Sequence, residues 1–167
     1  ERGLRTMRRT RHVFAEQLRG IVLAARQTPV RVMFPMVTTP DEVVWARGVL
    51  DEVLAELGPV DLPVGIMIEV PAAALRAADF AGLVDFVSIG TNDLAQYALA
   101  ADRTNAAVSL LAPMDAPAVW DLIELTCRGL PGVPIAVCGN LASDPSVTAR
   151  LLALGVTELS VQPPMVP

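Results

Sequence analysis

Short apolar runs alternate with longer amphipathic stretches along this chain. Leu4, Met7, Phe14, Leu18, Ile21 and Val22 recur at helical spacing, which predicts a helix over residues 4–26. Residues 30–34 form a β-type run closed by Pro35. Thr38-Thr39-Pro40-Asp41-Glu42 then opens a second helix, with Thr39 as its N-cap, proline at the first helical position and acids in the first turn. That helix runs to about Leu57, where Gly58-Pro59 stops it. A buried strand over 64–68 ends at Glu69, and Pro71 starts an alanine-rich helix reaching about Phe80. The strand over 84–89 follows, then a loop at residues 90–93 and a short helix through Tyr97 to about Ala100. Residues 101–114 look irregular. A helix over 116–128, a strand over 134–137, a helix from Asp144-Pro145 to Leu154 and a short strand over 159–161 complete the chain.

The order is a helix, four strand–helix repeats and a final strand. Alternation at this spacing argues for a parallel sheet with right-handed crossovers. A closed barrel of this kind has about eight strands and about 250 residues. Five strands in 167 residues therefore fit either an open doubly wound sheet or part of a barrel, and the pattern alone leaves both open.

Composition narrows the class. The chain is 53% hydrophobic and 19% charged, which excludes disorder and suits a sheet covered on both faces. No apolar run reaches the roughly 18–20 residues of a membrane span, so no membrane partner is expected. Cys127 and Cys138 make no disulfide framework, and a reducing cytoplasm is the default. All 13 basic residues are arginine. Without lysine there is no lysine-ended phosphate loop and no Schiff-base chemistry, and anion recognition falls to arginine forks. Arg2, Arg5, Arg8, Arg9 and Arg11 crowd the first helix, but the net charge of −5 and the absence of interleaved aromatics speak against nucleic acid.

The chemistry concentrates at two strand ends. The strand through Phe86 and Ile89 stops at Gly90 and delivers Asn92 and Asp93; the strand over 64–68 delivers Glu69. Parallel barrels place their active sites at such carboxyl ends. Two acids there fit a hard divalent cation whose shell is completed by substrate and water.

Val32-Met33-Phe34-Pro35-Met36, the Gly65–Pro71 block and Ser88-Ile89-Gly90-Thr91-Asn92-Asp93-Leu94 resemble the phosphoenolpyruvate-utilising enzymes. Gln96-Tyr97, Ala101-Asp102-Arg103 and Val137-Cys138-Gly139 extend the likeness, which is greatest to enzyme I of the bacterial sugar phosphotransferase system. The resemblance implies that residues 1–167 are a phosphoenolpyruvate-binding domain, a (β/α)8 barrel of which this chain supplies about strands four to eight. It implies a phosphohistidine domain outside this chain, a histidine-containing phosphocarrier protein as partner and a homodimer in the complete enzyme. Carried over by position, Glu69 and Asp93 match the Mg2+ ligands, and Asn92, Arg103 and Arg2 match residues that hold phosphoenolpyruvate. Cys138 matches the acid that protonates the enolate carbon; a thiol, mostly protonated at neutral pH, suits that task. His12 lacks the surroundings of the phosphoacceptor, and Cys127 reads as a core residue.

Two positions depart from the family. Asn140 stands where glutamate is usual, next to the acid, and Ala95 stands for a common threonine. Two other readings compete: a citrate-lyase β-type lyase, which also pairs a glutamate and an aspartate on strand ends, and a truncated, non-catalytic binding or assembly module. Cys138-Gly139 and Ala101-Asp102-Arg103 favour the phosphotransferase.

Overall fold

The computed structural model describes residues 2–166, the side chain of Leu110 excepted. Helices α1 (Leu4–Arg9) and α2 (Arg11–Ala25) precede β1 (Val32–Phe34) and α3 (Pro40–Leu57). Strand β2 (Val64–Ile68), α4 (Pro71–Leu75), β3 (Phe86–Gly90) and α5 (Thr91–Ala98) follow. Then come α6 (Pro117–Gly129), β4 (Ile135–Cys138), α7 (Thr148–Ala153) and β5 (Glu158–Ser160).

All four strand pairings are parallel, and the strands lie in chain order β1-β2-β3-β4-β5. A doubly wound sheet reverses its strand order at a switch point; this one never does. Because parallel crossovers take one hand, the right-handed one, an unreversed order puts the helices on one face. Period-two alternation then sends Val32, Phe34, Val64, Ile66, Ile68, Val87, Ile89, Ile135 and Val137 beneath the helices, and all are buried. Phe14, Leu18 and Val22 of α2 and Val43, Ala46, Val49, Leu50 and Val53 of α3 cover one flank of that face. Val119, Trp120 and Ile123 of α6 belong to the same core, and the alanines of α4 and the turn after it pack against α6.

The other face is concave. In a flat sheet the two edge strands would stand about 19 Å apart, four spacings of about 4.8 Å. Instead Arg31, just before β1, reaches both carboxylate oxygens of Glu158 on β5 at 3.0 and 3.1 Å. Its guanidinium also sits 4.8 Å from the ring centroid of Phe86 on the middle strand. The edges therefore curl toward each other across the lumen, and the described sheet is an arc of a parallel barrel. Phe86 fits inside because its β2 partner is Gly65; a Cβ there would stand 2.6 Å from the Phe86 ring.

Several local expectations need adjustment. The first helix breaks at Thr10 (φ −115°, ψ 45°), whose hydroxyl bonds back to the Thr6 carbonyl at 3.1 Å. The helix expected over 71–80 is α-helical only to Leu75 and tightens into a 3-10 turn at Ala77–Phe80. Likewise a 3-10 turn, Pro145–Val147, precedes α7, and another, Ser109–Leu111, interrupts the irregular stretch. Strand β1 begins at Val32, later than expected, and β5 spans 158–160 rather than 159–161. The α3 start is as expected: Thr39 and Glu42 form a reciprocal capping box. Glu42 is buried because its Oε2 accepts from the Thr38 and Thr39 N–H groups and its Oε1 from Arg5.

Candidate active site

Strand ends β2, β3 and β4 converge on a cavity of 180 Å³ lined by Met67, Glu69, Gly90, Asn92, Asp93, Arg103, Cys138 and Gly139. Five of the six residues singled out in the sequence meet there. The sixth, Arg2, lines an adjoining cavity of 430 Å³ with Arg5, Met36, Thr38, Val70 and Tyr97, and reaches across to Asp93.

The two carboxylates arrive differently. Glu69 follows β2 directly, and its Oε1 accepts the Met36 N–H at 2.8 Å. Met36 reaches this spot with a positive φ of 56°, in the sharp turn after β1. Asp93, expected in a loop, lies instead in the first turn of α5, where a carboxylate is favoured by the helix dipole. Gly90 makes the approach possible: a Cβ on it would stand 2.9 Å from the Glu69 Cβ and 3.1 Å from its Oε2.

Charges are concentrated around Asp93. The Arg2 fork reaches its two oxygens at 3.5 and 3.3 Å, and Arg103 Nε lies 3.8 Å from Oδ1. This pairing raises the Arg2 pKa further above its ordinary value. Among the described residues Glu69 makes no ion pair of its own. Burial pushes its carboxyl up; the Met36 N–H pulls it down, the neighbouring Asp93 pushes it up again, and Arg2 only partly offsets this. Two buried carboxylates, at 5% and 8% exposure, thus bring hard oxygen donors to one place. That donor set fits Mg2+, which is held through one or two carboxylates and otherwise keeps water or substrate oxygens.

Cys138 closes β4 with its side chain on the concave face. Burial pushes its thiol up, a hydrogen bond with Ser88 pulls the other way, and the Glu69 charge pushes up again. The net direction is upward, which favours the neutral thiol. Ser88, itself buried, went unnoticed in the sequence although it stands inside the Ser88–Leu94 motif. So did Thr91, whose hydroxyl donates to the Cys138 carbonyl at 2.8 Å. Asn140 is exposed, and its backbone N–H donates to Asn92 Oδ1 at 3.0 Å. Cys127 is half-buried in α6 and His12 exposed on α2.

A family model described as the PEP-binding domain of PEP-utilising enzymes matches residues 1–167. The chain belongs to the PEP-utilising enzymes. Among curated members, a multiphosphoryl transfer protein of Rhodobacter capsulatus is 45% identical over 99% of this chain and 20% of its own length. The phosphoenolpyruvate-protein phosphotransferases of Mycoplasma pneumoniae and Haloferax volcanii are 43% and 40% identical, over 95% and 100% of this chain. They are covered over 29% and 32% of their lengths, so the chain spans about a fifth to a third of the relatives it matches. A citrate lyase structure from Burkholderia xenovorans superposes with a TM-score of 0.70, covering 90% of this chain and 51% of that one, at 19% identity. That likeness concerns the fold, a barrel of the same type, and lends no weight to lyase chemistry. Among the described residues no helix is long and apolar enough to cross a membrane.

Proposed function

We propose that this chain is the phosphoenolpyruvate-binding domain of an enzyme I-like phosphoenolpyruvate–protein phosphotransferase. The observation that carries the reading is the meeting of Glu69, Asp93, Asn92, Arg103 and Cys138 around one cavity, with Arg2 on its rim, in a member of this family.

Each residue has a task that its chemistry allows. Arg2 and Arg103 form a cationic rim that would hold the phosphoryl oxygens, arginine forks matching such anions well. Asn92 would donate its amide N–H to the substrate. Glu69 and Asp93 would hold Mg2+, which when bound supplies positive charge against the phosphoryl and enolate oxygens. A histidine of a further domain would attack phosphorus in line. Its N–P bond forms as the bridging P–O bond breaks, and the electron pair leaves with enolpyruvate oxygen. The enolate carbon then takes the Cys138 proton, giving pyruvate and a thiolate that regains a proton from water. The phosphoryl group would pass to a histidine-containing phosphocarrier protein and onward to sugar uptake, in the cytoplasm and from a homodimer.

In the full-length protein, Asp93→Ala and Glu69→Ala should each abolish Mg2+-dependent phosphoenolpyruvate binding measured by calorimetry. Cys138→Ala should keep binding but lose pyruvate formation by about 10²–10⁴-fold, the range for a positioned general acid. Undiminished binding in Asp93→Ala refutes the metal assignment. Cleavage of a malyl or citramalyl thioester would instead put the protein among the lyases.

A further inference from the structure

The turn after β4 is stitched to the start of α5 by two hydrogen bonds and one obligatory glycine. Thr91 is fully buried at the first position of α5, where a threonine hydroxyl ordinarily serves its own helix. Here it crosses to the neighbouring strand and donates to the carbonyl of Cys138 at 2.8 Å. One residue further along α5 and two further along the turn, the Asn140 N–H donates to Asn92 Oδ1 at 3.0 Å. Gly139 lies between the two bonds with φ 93°. A Cβ on it would come within 2.5 Å of Thr91 Oγ1 and 2.8 Å of Asn92 Oδ1, so only glycine lets the turn approach this closely.

The second bond settles which way Asn92 faces. A backbone N–H can only donate, so the atom it meets must be the amide oxygen, and the NH2 group is the end left toward the cavity that Asn92 lines. The first bond fixes the carbonyl of Cys138 and with it the backbone from which the thiol projects. The two segments belong to adjacent strands, since Gly90 pairs with Cys138. The bond through Asn140 uses its backbone alone, so asparagine in place of the family's usual glutamate leaves this link intact.

We propose that Thr91 is a positioning residue: its hydroxyl, together with the Asn140 N–H, locks the Cys138 proton donor and the Asn92 amide donor into one fixed separation. The proposal rests on the reading of Cys138 as the acid. Its work is geometric, because the phosphoryl and the enolate carbon belong to one small substrate and both donors must stay in place while it is bound.

The test uses the full-length protein carrying Cys127→Ser, with Thr91→Val, which keeps the shape and deletes the hydroxyl, and Thr91→Ser, which restores it. Thr91→Val should lower kcat for pyruvate formation by about 10–100-fold, the scale expected for a misplacement of about 1 Å. The KM for phosphoenolpyruvate should stay within about threefold, and the iodoacetamide alkylation rate of Cys138 should change. Thr91→Ser should return both kcat and alkylation to within about threefold of the parent. Thr91→Ala repeats the measurement should the valine variant not fold. Parental kcat and alkylation in Thr91→Val overturn the proposal, as does a loss that serine does not rescue or that only tracks the folded fraction by circular dichroism. Cys138→Ala in the same assay separates the two levels. If it turns over at the parental rate, the acid assignment falls and the proposal with it. A slow Cys138→Ala beside a fast Thr91→Val removes the positioning role alone.

Discussion

Gly90 offers a direct test of how the site is built. Its Cα lies so close to β2 that an added methyl would stand 2.9 Å from the Glu69 Cβ, 3.0 Å from the Met67 sulfur and 3.1 Å from Glu69 Oε2. Carbon atoms pack at about 3.5–4.0 Å. Gly90→Ala therefore demands roughly 0.6–1.1 Å of yielding at the Glu69 Cβ. Little can yield. Gly90 is in strand, paired with Cys138, and Glu69 is held by the Met36 N–H on its other side. Overpacking of this kind costs about 1–3 kcal/mol of stability. The functional loss should be larger, because Mg2+ demands near-ideal octahedral oxygens at about 2.0–2.1 Å and the methyl pushes one of the two carboxylates proposed to hold it. The expected result is a protein that still folds, with a lower urea midpoint for this domain and at least tenfold weaker Mg2+-dependent phosphoenolpyruvate binding by calorimetry. Parental stability together with parental metal-dependent binding would show that Gly90 and Glu69 do not meet as described.

Cys138 should resist alkylation at neutral pH: in a Cys127→Ser background its iodoacetamide midpoint, read by mass spectrometry, should exceed the ordinary thiol value of about 8.5. The raised folded value favours the neutral thiol, so its contribution to stability is intact below the ordinary thiol value and lost as pH rises through the raised one. A midpoint at or below 8.5 would contradict the burial, and Glu69→Gln should bring the midpoint down by removing a nearby charge. Arg31→Ala and Glu158→Ala should couple in a double-mutant cycle by about 0.5 kcal/mol, a small value because both side chains are half exposed; coupling below about 0.2 kcal/mol would count against the lumen bridge. Gly48→Ala, on the exposed side of α3 with nothing within 4 Å of the new methyl, should stabilise the domain by about 0.5–1 kcal/mol in the same denaturation assay, and a loss would refute that account.

What the sequence determined by itself is what neighbouring residues decide among themselves. The alternation of strand and helix, the Thr39–Glu42 capping box, the glycine and proline stops and the delivery of Glu69 and Cys138 at strand ends all follow from periodicity and turn chemistry within a few residues. The family motifs added roles for residues already standing at those ends. Local pattern failed where a fine competition was involved, as at Thr10, whose hydroxyl bonds back to the preceding turn, and at Asn92 and Asp93, which joined a helix rather than a loop. The choice between barrel and open sheet lay beyond it altogether. Five strands of one pattern can be ordered and curled in more than one way, and only pairing between distant segments selects one. Arg31 meets Glu158 across 127 residues, Arg2 meets Asp93 across 91, and Thr91 meets Cys138 across 47. Contacts at such separations depend on sheet curvature and on the meeting of three strand ends, which no single stretch of sequence specifies.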